Sequence, residues 1–150
     1  MYFDWDFLFA ATNAVALLGW LALAALPRRQ TVLAAVLWAG VALLCAAYAA
    51  MFVGLMGGLV DPVRDGAGAP PPFEYTVDGL KAVFASKGAI VLGWTHYLAF
   101  DLFTGLWISR DAEQRRIGRL VQLPVLFATF MAGPIGLLTW LLIRKPLTRQ

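Results

Sequence analysis

The chain has 150 residues, 61% of them hydrophobic and 14% charged, with a mean hydropathy of +0.72. Those values exclude an ordinary soluble domain, in which about a quarter of the residues are charged, and place the chain in a membrane. The net charge of +3 comes from 12 Lys+Arg against 9 Asp+Glu; the arginines cluster where apolar runs end and no basic stripe with interleaved aromatics is present, so the expected partners are membrane lipids and not nucleic acid.

The N-terminus, MYFDWDFLFA, carries Asp4 and Asp6 where a secretory signal would be basic, so the first apolar run is expected to stay as a span. No Arg/Ser-rich leader of the transit-peptide kind is seen either, and the chain reads as a complete, directly inserted form. The expected location is the bacterial inner membrane.

Apolar runs long enough to cross a hydrocarbon core, about 20 residues, occur four times. They cover roughly 5–26, closed by Pro27-Arg28-Arg29; 31–59; 88–108; and 118–143, closed by Arg144-Lys145-Pro146. The predicted fold is an all-α integral membrane protein, a single domain with a bundle of four transmembrane helices. An even number of spans puts both termini on one side. With the N-terminus outside, each side collects six Lys and Arg, and the positive-inside count is a tie.

Between the second and third spans, DPVRDGAGAPPP (Asp61 to Pro72) breaks any helix. Phe73, Val77, Leu80 and Phe84 then recur at helical spacing opposite Glu74, Asp78 and Lys81, which predicts a short amphipathic helix at the interface. The same pattern suits a lid that seals the bundle or a gate for a lipid-like ligand. Trp5, Trp107 and Trp140 sit near span ends, as in an aromatic belt. Gly54 with Gly58, and Ala10 with Ala14, are spaced for close helix contact. The lone cysteine, Cys45, lies in an apolar run and reads as a small core residue.

GWTHYLAFDLF (Gly93 to Phe103) carries the only histidine, His96, and an aspartate, Asp101, near the centre of the third span. An aspartate there costs about 2.5–3.5 kcal/mol even on lenient insertion scales, and such groups nearly always face a bundle interior. Five residues at about 100° each put the two about 140° apart around the helix, too far to chelate together, and no second histidine exists. No metal is expected. Tyr97, four residues before Asp101, is placed to donate to its carboxylate, while His96 shares a stripe with Gly93, Phe100, Phe103 and Trp107. That stripe suits either ordinary helix packing or a flat conjugated ligand. Asn13 lies at matching depth in the first span, and Gly133-Pro134 frees a carbonyl, that of Phe130, in the fourth. Asn13, His96, Asp101 and that carbonyl are expected to meet, in an internal pocket or in a hydrogen-bond network that fixes helix register. Arg110-Asp111 reads as a charged cap and headgroup anchor.

GWTHYLAFDLFTGLWISRDA, followed by LPVLFATFMAGPIGLLTWLLIR, resembles the small four-span family that includes the plant abscisic-acid-deficient, neoxanthin-synthase type proteins. The resemblance is most specific in His-Tyr-Leu-x-x-Asp-Leu-Phe and in Gly133-Pro134-x-Gly136-Leu137-Leu138. It implies action on a carotenoid-like lipid, an isomerisation in which an epoxide opens and an allene forms with no net redox change and no cofactor. That chemistry needs an acid at the epoxide oxygen and a base at a nearby C–H, roles for which Asp101 and His96 are the candidates. Asn13, Tyr97, Phe100, Phe103 and Trp107 are the candidate substrate-binding residues. The alternative is a non-catalytic carotenoid or isoprenoid binder or accessory subunit. A bundle this small buries little area within itself, which makes a homodimer the natural oligomer to test.

Overall fold

The structure, a computed structural model, describes residues 4–63 and 74–144, and the described elements are helical throughout. Helix α1 spans Trp5–Ala25. A second rod, Gln30–Met56, is made of α2 (Gln30–Ala35), a π-helical stretch (Val36–Ala42) and α3 (Leu43–Met56). The short α4 covers Val77–Val83, and the long α5 covers Lys87–Gln114; α6 (Arg119–Met131) and α7 (Gly133–Ile143) complete the chain.

Three of these rods, α1, the second rod and α5, are long and apolar enough to cross a membrane. Polar caps set the starts of three helices: Asp4 accepts from the amide of Phe7 at α1, Thr76 from Gly79 at α4 and Ser86 from Ala89 at α5. Pro27 and the turn around it end α1. Gly58, at φ +64°, ends α3 by letting the amide of Leu59 reach back to the carbonyl of Gly54. Gly54 and Gly58 therefore build a helix terminus and not the helix–helix contact their spacing suggested; Ala10 and Ala14 lie on an exposed face of α1.

The close contacts come from other glycines. Leu102, fully buried, drives its methyls between α1 and the second rod: a Cβ on Gly19 would stand 2.8 Å, and one on Gly40 3.0 Å, from its Cδ2. Trp20 lies over Gly105 in the same way, 2.6 Å from where a Cβ would be. Without an aqueous driving force between helices, such backbone approaches are what pack a membrane bundle. The π-helical stretch contributes Gly40 to this seam, and its wider turn rotates Trp38 outward.

The expected fourth span is two shorter helices that double back. The chain reverses at Ala132 (φ −156°, ψ 81°), where Pro134 supplies no N–H to continue the ladder. Gly136 then packs directly on the backbone of Thr129, closer than any side chain would allow. Gln122 at the start of α6 and Trp140 near the end of α7 both reach the C-terminal part of α5, while Gly133 at the tip lies against Asp101, mid-way along α5. Thirteen residues carry α6 about 20 Å. It enters from one end of the bundle, and α7 returns to that end.

The described chain thus begins at one end, with Asp4, and finishes at the other, with Arg144, contrary to the expectation of termini on one side. Arg144 joins Arg28, Arg29, Arg110, Arg115, Arg116 and Arg119, whereas the opposite end has Lys81 and Lys87 among its described residues, with Asp4, Asp6, Asp61, Glu74 and Asp78. At that acidic end the indole of Trp5 donates to the carbonyl of Asp61 (2.9 Å), and the amides of Lys87 and Gly88 donate to Val63 and Pro62, tying the loop after α3 to the start of α5. The short helix expected here is α4, shorter than the pattern suggested; Phe73, which opened the pattern, lies outside the described residues.

Candidate functional site

One stripe of α5, from Ala89 through Gly93, His96 and Phe100 to Phe103, faces a matching stripe of the second rod, from Leu37 through Val41 and Cys45 to Tyr48. Between them runs a lateral groove with two hollows. The one nearer the acidic end, about 380 Å³, is walled by Tyr48, Val83, Phe84, Leu92, His96 and Tyr97. The other, about 350 Å³ and wholly apolar in its lining, holds Trp38, Cys45, Phe100 and Phe103. Ala89 to Phe103 is about 21 Å along the axis.

His96 is exposed on this groove and does not point into a sealed bundle interior. Its ring lies 4.7 Å from that of Phe100, 5.7 Å from Tyr48 and 6.4 Å from Tyr97. Among the described residues the imidazole has ring contacts but no hydrogen bond. Four of the candidate residues, His96, Tyr97, Phe100 and Phe103, are thereby brought together. Tyr48, packed against both His96 and Phe52, is a groove residue that sequence reasoning missed. Phe84, just after α4, covers Gly93 so closely that a Cβ there would stand 2.7 Å from its ring, and closes the groove at the acidic end. Cys45 opens onto the groove instead of filling the core.

The other candidates lie elsewhere. Asn13 accepts from the indole of Trp94 (3.1 Å) and donates to the carbonyl of Phe9 (2.7 Å), a closed pair between α1 and α5. Asp101 is half-buried on the far side of α5 from His96, against Gly133, and among the described residues makes no hydrogen bond to Tyr97 or any other group. Trp107 lies under the guanidinium of Arg144, 5.2 Å from its ring centroid. The internal meeting of Asn13, His96, Asp101 and the Phe130 carbonyl does not form, because the chain reverses beside Asp101 and the three side chains leave their helices on different faces.

The chain matches the family model described as ABA DEFICIENT 4-like over residues 7–140. It belongs to that family. No curated protein and no solved structure matches the chain. The ABA DEFICIENT 4-like region takes in both walls of the groove and runs through the hairpin as far as Trp140.

The most densely bonded polar cluster of this family member lies at its arginine-rich end. The carboxylate of Asp111, almost buried, accepts from the Arg115 Nε through both oxygens (3.0 Å each), from the Trp140 indole (2.9 Å) and from Arg144 Nη1 (3.3 Å). Trp140 is itself completely buried. One turn away, the buried Gln122 amide donates to Ser109 Oγ (2.8 Å) and accepts from Arg28, whose guanidinium also reaches the carbonyl of Ile117 (3.1 Å) and the Glu113 carboxylate (2.9 Å). Arg119 donates to the carbonyls of Leu23 and Ala24, filling acceptors at the end of α1. Asp111, expected with Arg110 as a charged cap and headgroup anchor, is instead the post to which the returning hairpin is tied. Two spacings carried that signal: Asp111 with Arg115 and Trp140 with Arg144 are both four apart. Among the described residues no group of three His, Cys, Asp or Glu side chains is placed to hold a metal ion.

Proposed function

We propose that this protein holds a carotenoid-like lipid lengthwise in the groove between the second rod and α5 and isomerises an oxygenated end of it, opening an epoxide to an allene. The observation that carries the reading is the aromatic groove itself: Phe84, Tyr48, Tyr97, Phe100, Trp38 and Phe103 line its two hollows, with the only imidazole of the chain among them. A conjugated rod is bound by such faces, and entry is lateral, from the bilayer. In the reaction the C–O bond of the epoxide breaks, its oxygen takes a proton and a neighbouring carbon loses one, so atoms and electrons balance without an oxidant. The groove offers His96 as the base. The acid that faces it from the opposite wall is the Tyr48 phenol, its ring 5.7 Å from the imidazole; Asp101, behind α5, serves the hairpin tip.

A second reading, a non-catalytic carotenoid binder, is favoured by one observation. A general base is ordinarily oriented by a third group, and the described residues give His96 none. Expression in carotenoid-producing bacteria separates the two: a changed pigment profile marks an isomerase, whereas unchanged pigment co-purifying with the protein marks a binder. Neither outcome in the presence of epoxy-carotenoids would remove both.

A further inference from the structure

Below the groove, at the arginine-rich end, a polar pocket of about 490 Å³ is lined by Arg28, Gln30, Leu33, Arg110, Glu113 and Gln114. Two of its charges cancel: Arg28 pairs with Glu113 and is otherwise taken up by Gln122 and the Ile117 carbonyl. Arg110 is different. Half-buried on α5, it makes no hydrogen bond or ion pair among the described residues, and the amides of Gln30 and Gln114 line the same hollow. The pocket is thus a cavity with one uncompensated guanidinium and two neutral donors, which is the complement of a phosphate ester.

Its apolar neighbour says what kind. Leu33 is on its wall, and Leu37, one turn further along the second rod, begins the hollow above. A headgroup at Arg110 therefore has a path for an acyl chain along Leu33 and Leu37 without leaving the protein surface. The setting agrees: seven arginines mark this end and five described carboxylates the other, and the positive-inside rule turns such an end toward the cytoplasm, whose leaflet carries anionic lipid. We infer that the Arg110 pocket is a binding site for the phosphate of an anionic phospholipid, held between α2 and α5. The headgroup pocket shares no lining residue with the groove and does not depend on the groove's proposed ligand; only the acyl path meets the groove, at Leu37.

The test uses the full chain in neutral detergent, titrated with dioleoylphosphatidylglycerol or dioleoylphosphatidylcholine and read by native mass spectrometry. A charge-assisted contact of this kind corresponds to a preference of about tenfold or more for the anionic lipid. Arg110→Gln is expected to erase most of that preference, Arg110→Lys to keep part of it, and Arg116→Gln, which removes an exposed arginine at the same end, to leave it unchanged. Retention of the full preference in Arg110→Gln overturns the site. An equal loss in Arg116→Gln also does, since it would reduce the effect to diffuse surface charge, and equal binding of soluble glycerol phosphate would overturn the lipid as its source. Unfolding of each variant in phosphatidylcholine alone shows that the fold is intact.

Discussion

Asp101 and Asp111 stand ten residues apart on one helix and have opposite surroundings. Asp111 accepts from two guanidiniums and an indole and joins α5 to the end of α7; Asp101, about 15 Å deeper, touches the glycine at the hairpin tip and has no polar partner among the described residues. Depth in the apolar run is a poor guide to what a charged group does. Near the end of the bundle, long arginines reach back to a carboxylate and make it structural. In the middle no arginine is in reach: Asn13 and Trp94 bond each other, and Thr95 and Thr129 use their hydroxyls on the carbonyls of Val91 and Val125 within their own helices.

The sharpest way to break this contrast is Asp111→Ala. Removing one partner of a largely buried charge network costs about 3–5 kcal/mol, and the loss should appear in thermal unfolding of the detergent-solubilised protein, with Trp140 fluorescence reporting release of the hairpin. Asp111→Asn keeps an acceptor for the indole and should lose less. A destabilisation no greater than that of Asp101→Ala would abolish the distinction between the two aspartates.

Next comes the hairpin itself. Reporter fusions placed before Asp4 and after Arg144 are expected on opposite sides of the membrane, the second in the cytoplasm; reporters on one side would restore a fourth complete span. Gly136→Leu forces a side chain into the Thr129 backbone. Overpacking of this kind ordinarily costs about 1–3 kcal/mol, and here it should separate α6 from α7, so that cysteines introduced on their facing surfaces no longer cross-link.

Much of the fold was legible in the letters. Three long apolar runs became three rods, because about 20 apolar residues in lipid have no better way to satisfy their backbone than a helix. The fourth run deceived by composition: its hydropathy is continuous, and only Gly133-Pro134 with Gly136 told of a reversal. A freed carbonyl was the expected consequence of that proline; the larger one, a change of direction, depended on Gly136 admitting Thr129 and on Asp111 waiting for Trp140, contacts between residues far apart in the chain. The stripe through His96, Phe100 and Phe103 could be read from spacing, but its opposing wall could not, since Tyr48 and Trp38 are ordinary span residues until the second rod packs against α5.

The smallest stability effect is expected where the functional effect is largest. His96 and Tyr48 line an open groove and meet across it only through a ring contact, so His96→Gln and Tyr48→Phe should shift stability by no more than about 0.5 kcal/mol, as for surface substitutions away from structural features. If the groove performs the isomerisation, both variants should lose pigment conversion while still co-purifying with pigment, and Asp101→Asn should retain it. The reverse pattern, conversion lost only in Asp101→Asn, would move the chemistry to the hairpin tip and leave the groove a binding surface. Loss of pigment binding in His96→Gln together with Phe100→Ala, with unfolding unchanged, would instead place the ligand where the aromatic faces converge, because a merely structural role for either side chain predicts a change in stability first.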